Sequence, residues 1–244
     1  MKRRLDVVLA ERGLAESRER ARSLIMEGDV YVDGVRAGKA GMQVTGEERI
    51  ELREAALPFV SRGGLKLAKA LDVFPIDLTG LVCADVGAST GGFTDCMLQR
   101  GAARVYALDV GYGQLHYKLR SDPRVTVMER TNARFMEPNW FPEQPQFASV
   151  DVSFISLRLI LPPLARCLSE NAAVVALVKP QFEAGRAEVG KNGVVRDPEL
   201  HKQILEELQG FFQTLGLAVR GVCASPLLGP AGNREFFIYA AKQP

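Results

Sequence analysis

The stretch Ala84-Asp85-Val86-Gly87-Ala88-Ser89-Thr90-Gly91-Gly92-Phe93-Thr94-Asp95 constrains this chain more than any other. Apolar residues run into it from Leu81 to Val86, the pattern of a buried strand. An amphipathic run, Phe93 to Arg100, leaves it as a helix. Between them, Gly87, Gly91 and Gly92 let the backbone turn sharply and be approached closely. Strand, glycine turn and helix in succession form the crevice where doubly wound sheets bind nucleotide-like ligands. A turn that binds nothing would look the same, so spacing and the residues beyond must decide.

The spacing G-x-x-x-G-G is not the dinucleotide fingerprint G-x-G-x-x-G, and no Lys follows to make a phosphate loop. A second apolar run, Val105 to Leu108, ends in Asp109. An acid at that place can hold ribose hydroxyls. A ligand with ribose and adenine but no phosphate to cradle fits best: S-adenosylmethionine. The expected donor contacts are Asp85, Gly87, Ser89, Thr90, Gly91, Gly92 and Phe93 on the loop, then Asp109, Asn132 and Asp151 at later strand ends. Asn132 lies in Glu129-Arg130-Thr131-Asn132-Ala133, placed to meet an adenine edge.

A chain of 244 residues holds one sizeable core plus a small module. With 47% hydrophobic and 25% charged residues it has an ordinary soluble composition, and a net charge of +2 makes no case by itself for nucleic acid. No apolar run approaches the ~18 residues of a membrane span. Met1-Lys2-Arg3-Arg4 is followed by Asp6, Glu11 and Arg12, which is no signal-peptide core. The cytoplasm is the expected location. Cys83, Cys96, Cys167 and Cys223 form no C-x-x-C pair and read as reduced core residues. His116 and His201 lie far apart without Cys partners, so no metal site is expected. The oligomeric state is left open.

Before the loop lies a smaller unit. Leu5, Val8 and Leu9 have helical spacing, stopped at Gly13. Ser17 can cap a second helix, Arg18 to Glu27, ended by Gly28. Val30-Tyr31-Val32 then runs into Asp33-Gly34, a strong hairpin signal. Lys2, Arg3, Arg4, Arg12, Arg18, Arg20 and Arg22 outnumber Asp6, Glu11, Glu16 and Glu19. Arg18 and Arg22 share a helix face. Such a face either contacts RNA phosphates or is solvated with internal ion pairs, and charge alone leaves both open. The order of elements says more. Arg4, Leu5, Asp6, Leu9 and Gly13, then Ser17, Arg18, Ala21, Ile25, Gly28, Val30, Val32 and Gly34, resemble the small RNA-binding domain of the S4 type. That resemblance implies RNA contacts from Arg3, Arg4, Arg18, Arg20 and Arg22. Arg4-Leu5-Asp6 is also similar to the Asp-bearing motif of pseudouridine synthases, but it opens the first helix here, so Asp6 reads as structural.

The expected division is 1–54 for this RNA-binding unit, 55–60 for a linker and 61–244 for the larger domain. A helix follows the linker, with Leu65, Leu67, Ala68 and Leu71 as its expected apolar face. Lys66 and Lys69 fall off that face, where the plainest reading is two solvated lysines. From Gly80 strands alternate with helices. Strands are expected at 81–86, 104–109, 124–128, 146–152, 173–179, 217–225 and 235–241. Helices are expected at 91–100, 113–120, 156–168 and 197–215. This alternation gives an α/β, Rossmann-like fold with a seven-stranded, mostly parallel sheet, the last two strands forming an antiparallel pair at one edge.

Ligands bind at the carboxyl ends of such strands. The fourth ends in Asp151-Val152-Ser153-Phe154 and the fifth in Lys179-Pro180-Gln181-Phe182; Glu235 opens the last. Two lysines and two carboxylates around a methyl donor suit activation of a hydroxyl. A lysine made neutral by burial or by a second cation can take its proton. Lys179 is the candidate base. Lys66 supplies the neighbouring charge, and Asp151 and Glu235 hold the pair in line. The sulfonium is already a good leaving group, so no metal is needed.

Lys66, Asp151, Lys179 and Glu235 match in order the Lys-Asp-Lys-Glu tetrad of FtsJ-type ribose 2′-O-methyltransferases. Ser61-Arg62-Gly63, the 87–94 loop, Asp109-Val110-Gly111-Tyr112-Gly113-Gln114-Leu115, Glu129 to Arg134, Ser153 to Leu157, Val178 to Glu183 and Ser225-Pro226 resemble the TlyA family, often labelled hemolysin. The resemblance spans essentially the whole chain. It implies class I, S-adenosylmethionine-dependent cytidine 2′-O-methylation of ribosomal RNA, with a ribosomal subunit as partner. The chain stops directly after the last strand, like the shorter members, which implies the large subunit's 23S RNA before the 16S. A pore-forming hemolysin would need an insertion segment, and none is visible. A scaffold with an inactive methyltransferase fold is opposed by the complete tetrad.

Overall fold

The computed structural model describes residues 2–15, 17–52, 58–185, 188–190, 193–229 and 231–243. In the N-terminal unit, Arg3–Arg4 (β1) leads into helix α1, Leu5–Glu11, and α2, Arg18–Glu27. Ser17 caps α2 by accepting the Arg20 N–H, and Gly28 ends it in the left-handed conformation. Short strands β2 (Val30–Val32), β3 (Val35–Arg36), β4 (Gln43–Val44) and β5 (Ile50–Leu52) follow. Asp33 and Gly34 both have positive φ, which turns β2 back onto β3 as the Asp-Gly pair requires. Leu5, Leu9, Ala21, Ile25 and Val30 pack together as a separate small core.

The expected linker lies outside the described residues at 55–57. Its end is fastened to the larger unit: Val60 N–H donates to Asp95 Oδ2 at 2.8 Å, and Pro58 O accepts from Gln99. Helix α3, Gly63–Val73, then leads into an alternation of β6 (Val82–Val86), α4 (Gly92–Gln99), β7 (Arg104–Leu108), α5 (Tyr117–Arg120), β8 (Val125–Met128), β9 (Phe147–Val150), α6 (Leu161–Cys167), β10 (Ala173–Val178), α7 (Pro180–Glu183), α8 (Pro198–Thr214), β11 (Leu217–Ala224) and β12 (Phe236–Lys242).

The larger sheet has seven strands in the order β11-β12-β10-β9-β6-β7-β8. Neighbours from β10 to β8 run parallel, and β12 is antiparallel to both β10 and β11. Strands β6 and β10 are almost wholly buried and, Asp85 apart, apolar, because helices cover both faces. One face packs on α6 and α8, with Leu161, Leu164, Leu208 and Phe212. The other packs on α3 and α4, with Leu67, Leu71, Phe93 and Met97. The strand order reverses between β6 and β9, so their carboxyl ends open a crevice.

Three expectations shift. The helix expected at 113–120 shrinks to Tyr117–Arg120, because Gly113 is left-handed and its N–H goes to Glu129. The helix expected at 156–168 breaks into a 3-10 turn, Leu157–Leu159, and α6, whose first turn holds a proline. On α3 the fully buried residues are Gly64, Leu67, Ala70 and Leu71, while Leu65 and Ala68 are half-buried.

Candidate active site

A cavity of about 610 Å³ opens at the crevice, a size that suits a nucleoside-sized ligand. Gly87, Ser89, Thr90, Gly92 and Phe93 line it from the loop, joined by Asp109, Asn132 and Asp151. The glycines have causes of their own. A Cβ on Gly87 would come within 2.5 Å of Asp151 O, so this glycine lets the end of β9 approach. A Cβ on Gly92 would strike Ser61 Oγ and Gly64 N, so that glycine seats α3.

Two expected donor contacts do not reach the cavity. Asp85 is fully buried beneath the loop, where it accepts from Thr94 Oγ1 at 2.6 Å and Ser149 Oγ at 3.2 Å. It braces α4 against β9 rather than facing a ligand. Burial pushes its carboxyl up to about 7, against the pull of the Thr94 hydroxyl. Gly91 is not among the residues that line the cavity, and Leu119 and Leu115 fill the space a Cβ on it would take. Asp109 does face the cavity. Its Oδ2 accepts the Ser89 N–H at 2.8 Å and its Oδ1 the Gly111 N–H at 2.7 Å. Each oxygen keeps a lone pair for a ribose hydroxyl.

Lys66, Asp151, Lys179 and Glu235 arrive from α3, β9, β10 and β12 and meet in the same cavity. Lys66 Nζ lies 2.6 Å from Glu235 Oε2. Lys66 is therefore not solvated: its side chain is 13% exposed, and that of Glu235 is 1%. Lys179 Nζ lies 2.6 Å from Asp151 Oδ1, but off the angle of an aligned hydrogen bond. Its aligned bond goes to Ser153 Oγ at 2.8 Å. Burial would lower the Lys66 ammonium, but the carboxylates of Asp151 and Glu235 outweigh it and hold the group above its ordinary value. Burial would raise Asp151, but Lys179 and Lys66 outweigh that and hold the carboxyl below its ordinary range. Two cations and two anions meet here as paired charges, so the network is nearly neutral.

The basic residues expected to grip RNA are organised rather than loose. Asp6, fully buried, accepts from Arg4 Nε at 2.9 Å, Arg18 Nε at 3.0 Å and Arg22 Nε at 3.0 Å. The Arg4 guanidinium, against the cost of burial and with Arg18 and Arg22, holds the Asp6 carboxyl far below its usual range. Asp6 is thus structural, as its place on α1 implied. Arg3 pairs with Glu11. The outer sides of Arg4, Arg18 and Arg22 stay open to solvent. Arg22 also lines the cavity.

Sequence reasoning missed Phe154. It stands at the cavity rim, 81% exposed, with φ +63° and its ring 5.1 Å from that of Phe182. A bulky residue held left-handed and exposed is a strained arrangement that clusters at ligand sites. No spacing rule marks such a turn. The Ser153 hydroxyl on Lys179 was also missed, since only the strand end flagged it.

The FtsJ-like methyltransferase family matches residues 59–242, and the S4 domain matches residues 3–50. The Bacillus subtilis (strain 168) protein named "Putative rRNA methyltransferase YqxC" is 51% identical over 239 residues, 98% of this chain and 85% of that one. The Mycobacterium tuberculosis (strain H37Rv) protein named "16S/23S rRNA (cytidine-2′-O)-methyltransferase TlyA" is 47% identical over 241 residues, 98% of this chain and 90% of that one. A solved structure, "Putative hemolysin from Streptococcus thermophilus", superposes with a TM-score of 0.78 at 48% identity, covering 99% of this chain and 89% of that one. The tetrad geometry and these likenesses agree, and the chain belongs to the TlyA family of FtsJ-like methyltransferases, with an S4 domain at its N-terminal side.

Proposed function

We propose that this protein transfers a methyl group from S-adenosylmethionine to the 2′-hydroxyl of a cytidine in ribosomal RNA. The observation that carries the reading is the convergence of Lys66, Asp151, Lys179 and Glu235 at the cavity behind the glycine loop. The donor fits the residues present. Asp109 has lone pairs left for ribose hydroxyls, Asn132 lies across the cavity for the adenine, and Asp151 Oδ1 is buried without an aligned donor. When bound, S-adenosylmethionine supplies a methyl group activated by a sulfonium charge.

The chain's own residues do the rest. Lys179 would take the proton from the 2′-oxygen as that oxygen bonds to the methyl carbon and the carbon–sulfur bond breaks to leave a neutral thioether; a lysine does this only in its neutral form. Asp151 and Ser153 hold Lys179 Nζ in place. Lys66, fixed by Glu235, points its ammonium at the same space and orients the ribose. Holding both reactants in this way contributes up to ~7–11 kcal/mol to catalysis. Arg3, Arg4, Arg18, Arg20 and Arg22 dock the RNA through its phosphates. We place the work in the cytoplasm, on the large ribosomal subunit first.

A tritiated-methyl assay tests this. Unmodified large and small subunits are offered separately with the donor, and the labelled ribose is mapped. Label on a 23S cytidine 2′-oxygen alone is expected. Label on both subunits keeps the activity and discards the subunit preference. No label on either overturns the reading.

A further inference from the structure

The two units meet at the donor cavity itself. Arg22 and Ser23 of α2 line it together with Gln114 and Ser89. Ser23 is only 6% exposed, although α2 lies at the surface of a small RNA-binding unit. Its hydroxyl lies 3.5 Å from Gln114 Oε1, and Ser89 Oγ lies 3.3 Å from that same oxygen. Two hydroxyls share one amide oxygen, both at distances beyond the usual O–H···O range.

Ser89 is the residue whose N–H binds Asp109 Oδ2, and it sits at φ +48°. A serine in that conformation is held there by its surroundings. The Gln114 amide nitrogen packs over Gly111, in the space a Cβ there would occupy. The Gly111 N–H in turn binds the other oxygen of Asp109. A continuous chain of groups therefore runs from Ser23 to the acid that faces the donor's ribose. A second contact runs parallel. Asp29, just beyond α2, faces Arg62 at 3.6 Å, and Arg62 precedes α3, the helix that carries Lys66.

We propose that Ser23 is a positioning residue for the methyl donor, acting through Gln114 on Ser89 and Asp109. The S4 unit is then a wall of the donor cavity as well as a grip on RNA. This inference rests on the donor-binding part of the reading above. It makes donor affinity in the RNA-free protein depend on a residue outside the methyltransferase domain. Reciprocity adds that an RNA which shifts α2 changes donor affinity, and the donor changes RNA affinity by the same factor.

The test uses the full chain without RNA, titrated calorimetrically with S-adenosylmethionine. Ser23→Ala and Gln114→Ala are each expected to weaken binding about 2- to 5-fold, the scale of a single long hydrogen bond. The double variant is expected to match Gln114→Ala alone, since Ser23 acts through it. For Ser23→Ala the melting temperature is expected at the wild-type value, the KM for donor raised and kcat at saturating donor unchanged. Wild-type donor affinity in Ser23→Ala overturns the proposal. So does a double variant whose loss is the product of the two single losses, or a loss that comes with early melting. Wild-type protein that binds the donor but methylates no RNA overturns the function reading and leaves this one standing. Wild-type protein that binds no donor removes both.

Discussion

Lys66 and Glu235 stand 169 positions apart in the chain and 2.6 Å apart in space. Both are largely shielded from solvent, with side-chain exposures of 13% and 1%. Removing one partner of such a pair strands the other charge. Glu235→Ala is expected to cost about 3 kcal/mol of stability, and Glu235→Gln, which keeps an acceptor for Lys66 Nζ, clearly less. Urea unfolding curves read both. Equal losses would mean that the charge of Glu235, and not its hydrogen bond, holds Lys66.

Lys179 tests the chemistry. Lys179→Ala is expected to slow methyl transfer by ~10²–10⁴-fold, the span of a general base, with donor affinity close to wild type. Single-turnover rates and donor titration separate the two. Near-normal turnover would remove Lys179 as the base and leave Asp151 or water to be tested in its place.

Asp85 gives a pH signature. Its carboxyl is pushed up to about 7 in the folded protein, against ~4 in an unfolded chain. The folded state therefore holds an extra proton between those values. The stability this supplies is full below ~4 and is lost as pH rises through about 7. Asp151, lowered instead, contributes in the opposite sense, and only as pH falls below the ordinary carboxylate range. Asp85→Asn removes the first effect alone. The stability of wild type relative to this variant is expected to fall by ~4 kcal/mol from pH 4 to pH 8. A pH-independent difference would mean that Asp85 stays ionised in the fold.

Asp6 and Arg3 carry neighbouring ion pairs of different worth. Arg3 and Glu11 are both solvent-exposed, and Arg3→Ala is expected to cost under ~1 kcal/mol. Asp6 is buried under three guanidiniums, and Asp6→Ala is expected to cost about 3 kcal/mol. Thermal unfolding of the two variants side by side decides this.

RNA docking has its own readout. Arg18→Ala with Arg20→Ala is expected to weaken rRNA binding and to reduce the slope of log affinity against log salt by about 2. Arg4 and Arg22 still hold Asp6 in that variant, so the fold of the small unit is preserved. An unchanged slope would place the RNA on another face.

The strands were legible because apolar runs such as Val174 to Val178 are bounded by turn residues, and a parallel sheet buries both faces. The tetrad was legible in part. Asp151, Lys179 and Glu235 stand at strand ends, where open sheets place their chemistry. Helical periodicity alone put Lys66 in solvent. Its burial depends on Glu235, and no local pattern contains that. Asp85 was misplaced because position beside a loop does not say which face of the strand a side chain takes; Thr94 and Ser149 claim it from below. Phe154 was invisible because a left-handed aromatic obeys tertiary contacts rather than propensity.

The strand β12 sits between β10 and β11, both of which precede it in the chain. Among the described strands β11 bonds only to β12, so it joins the sheet only once that later strand is in place. Glu235 enters only with that strand. The donor loop, the S4 unit and both lysines are translated well before. Lys66 on α3 therefore gains its ion-pair partner only when the strand that completes the sheet is in place.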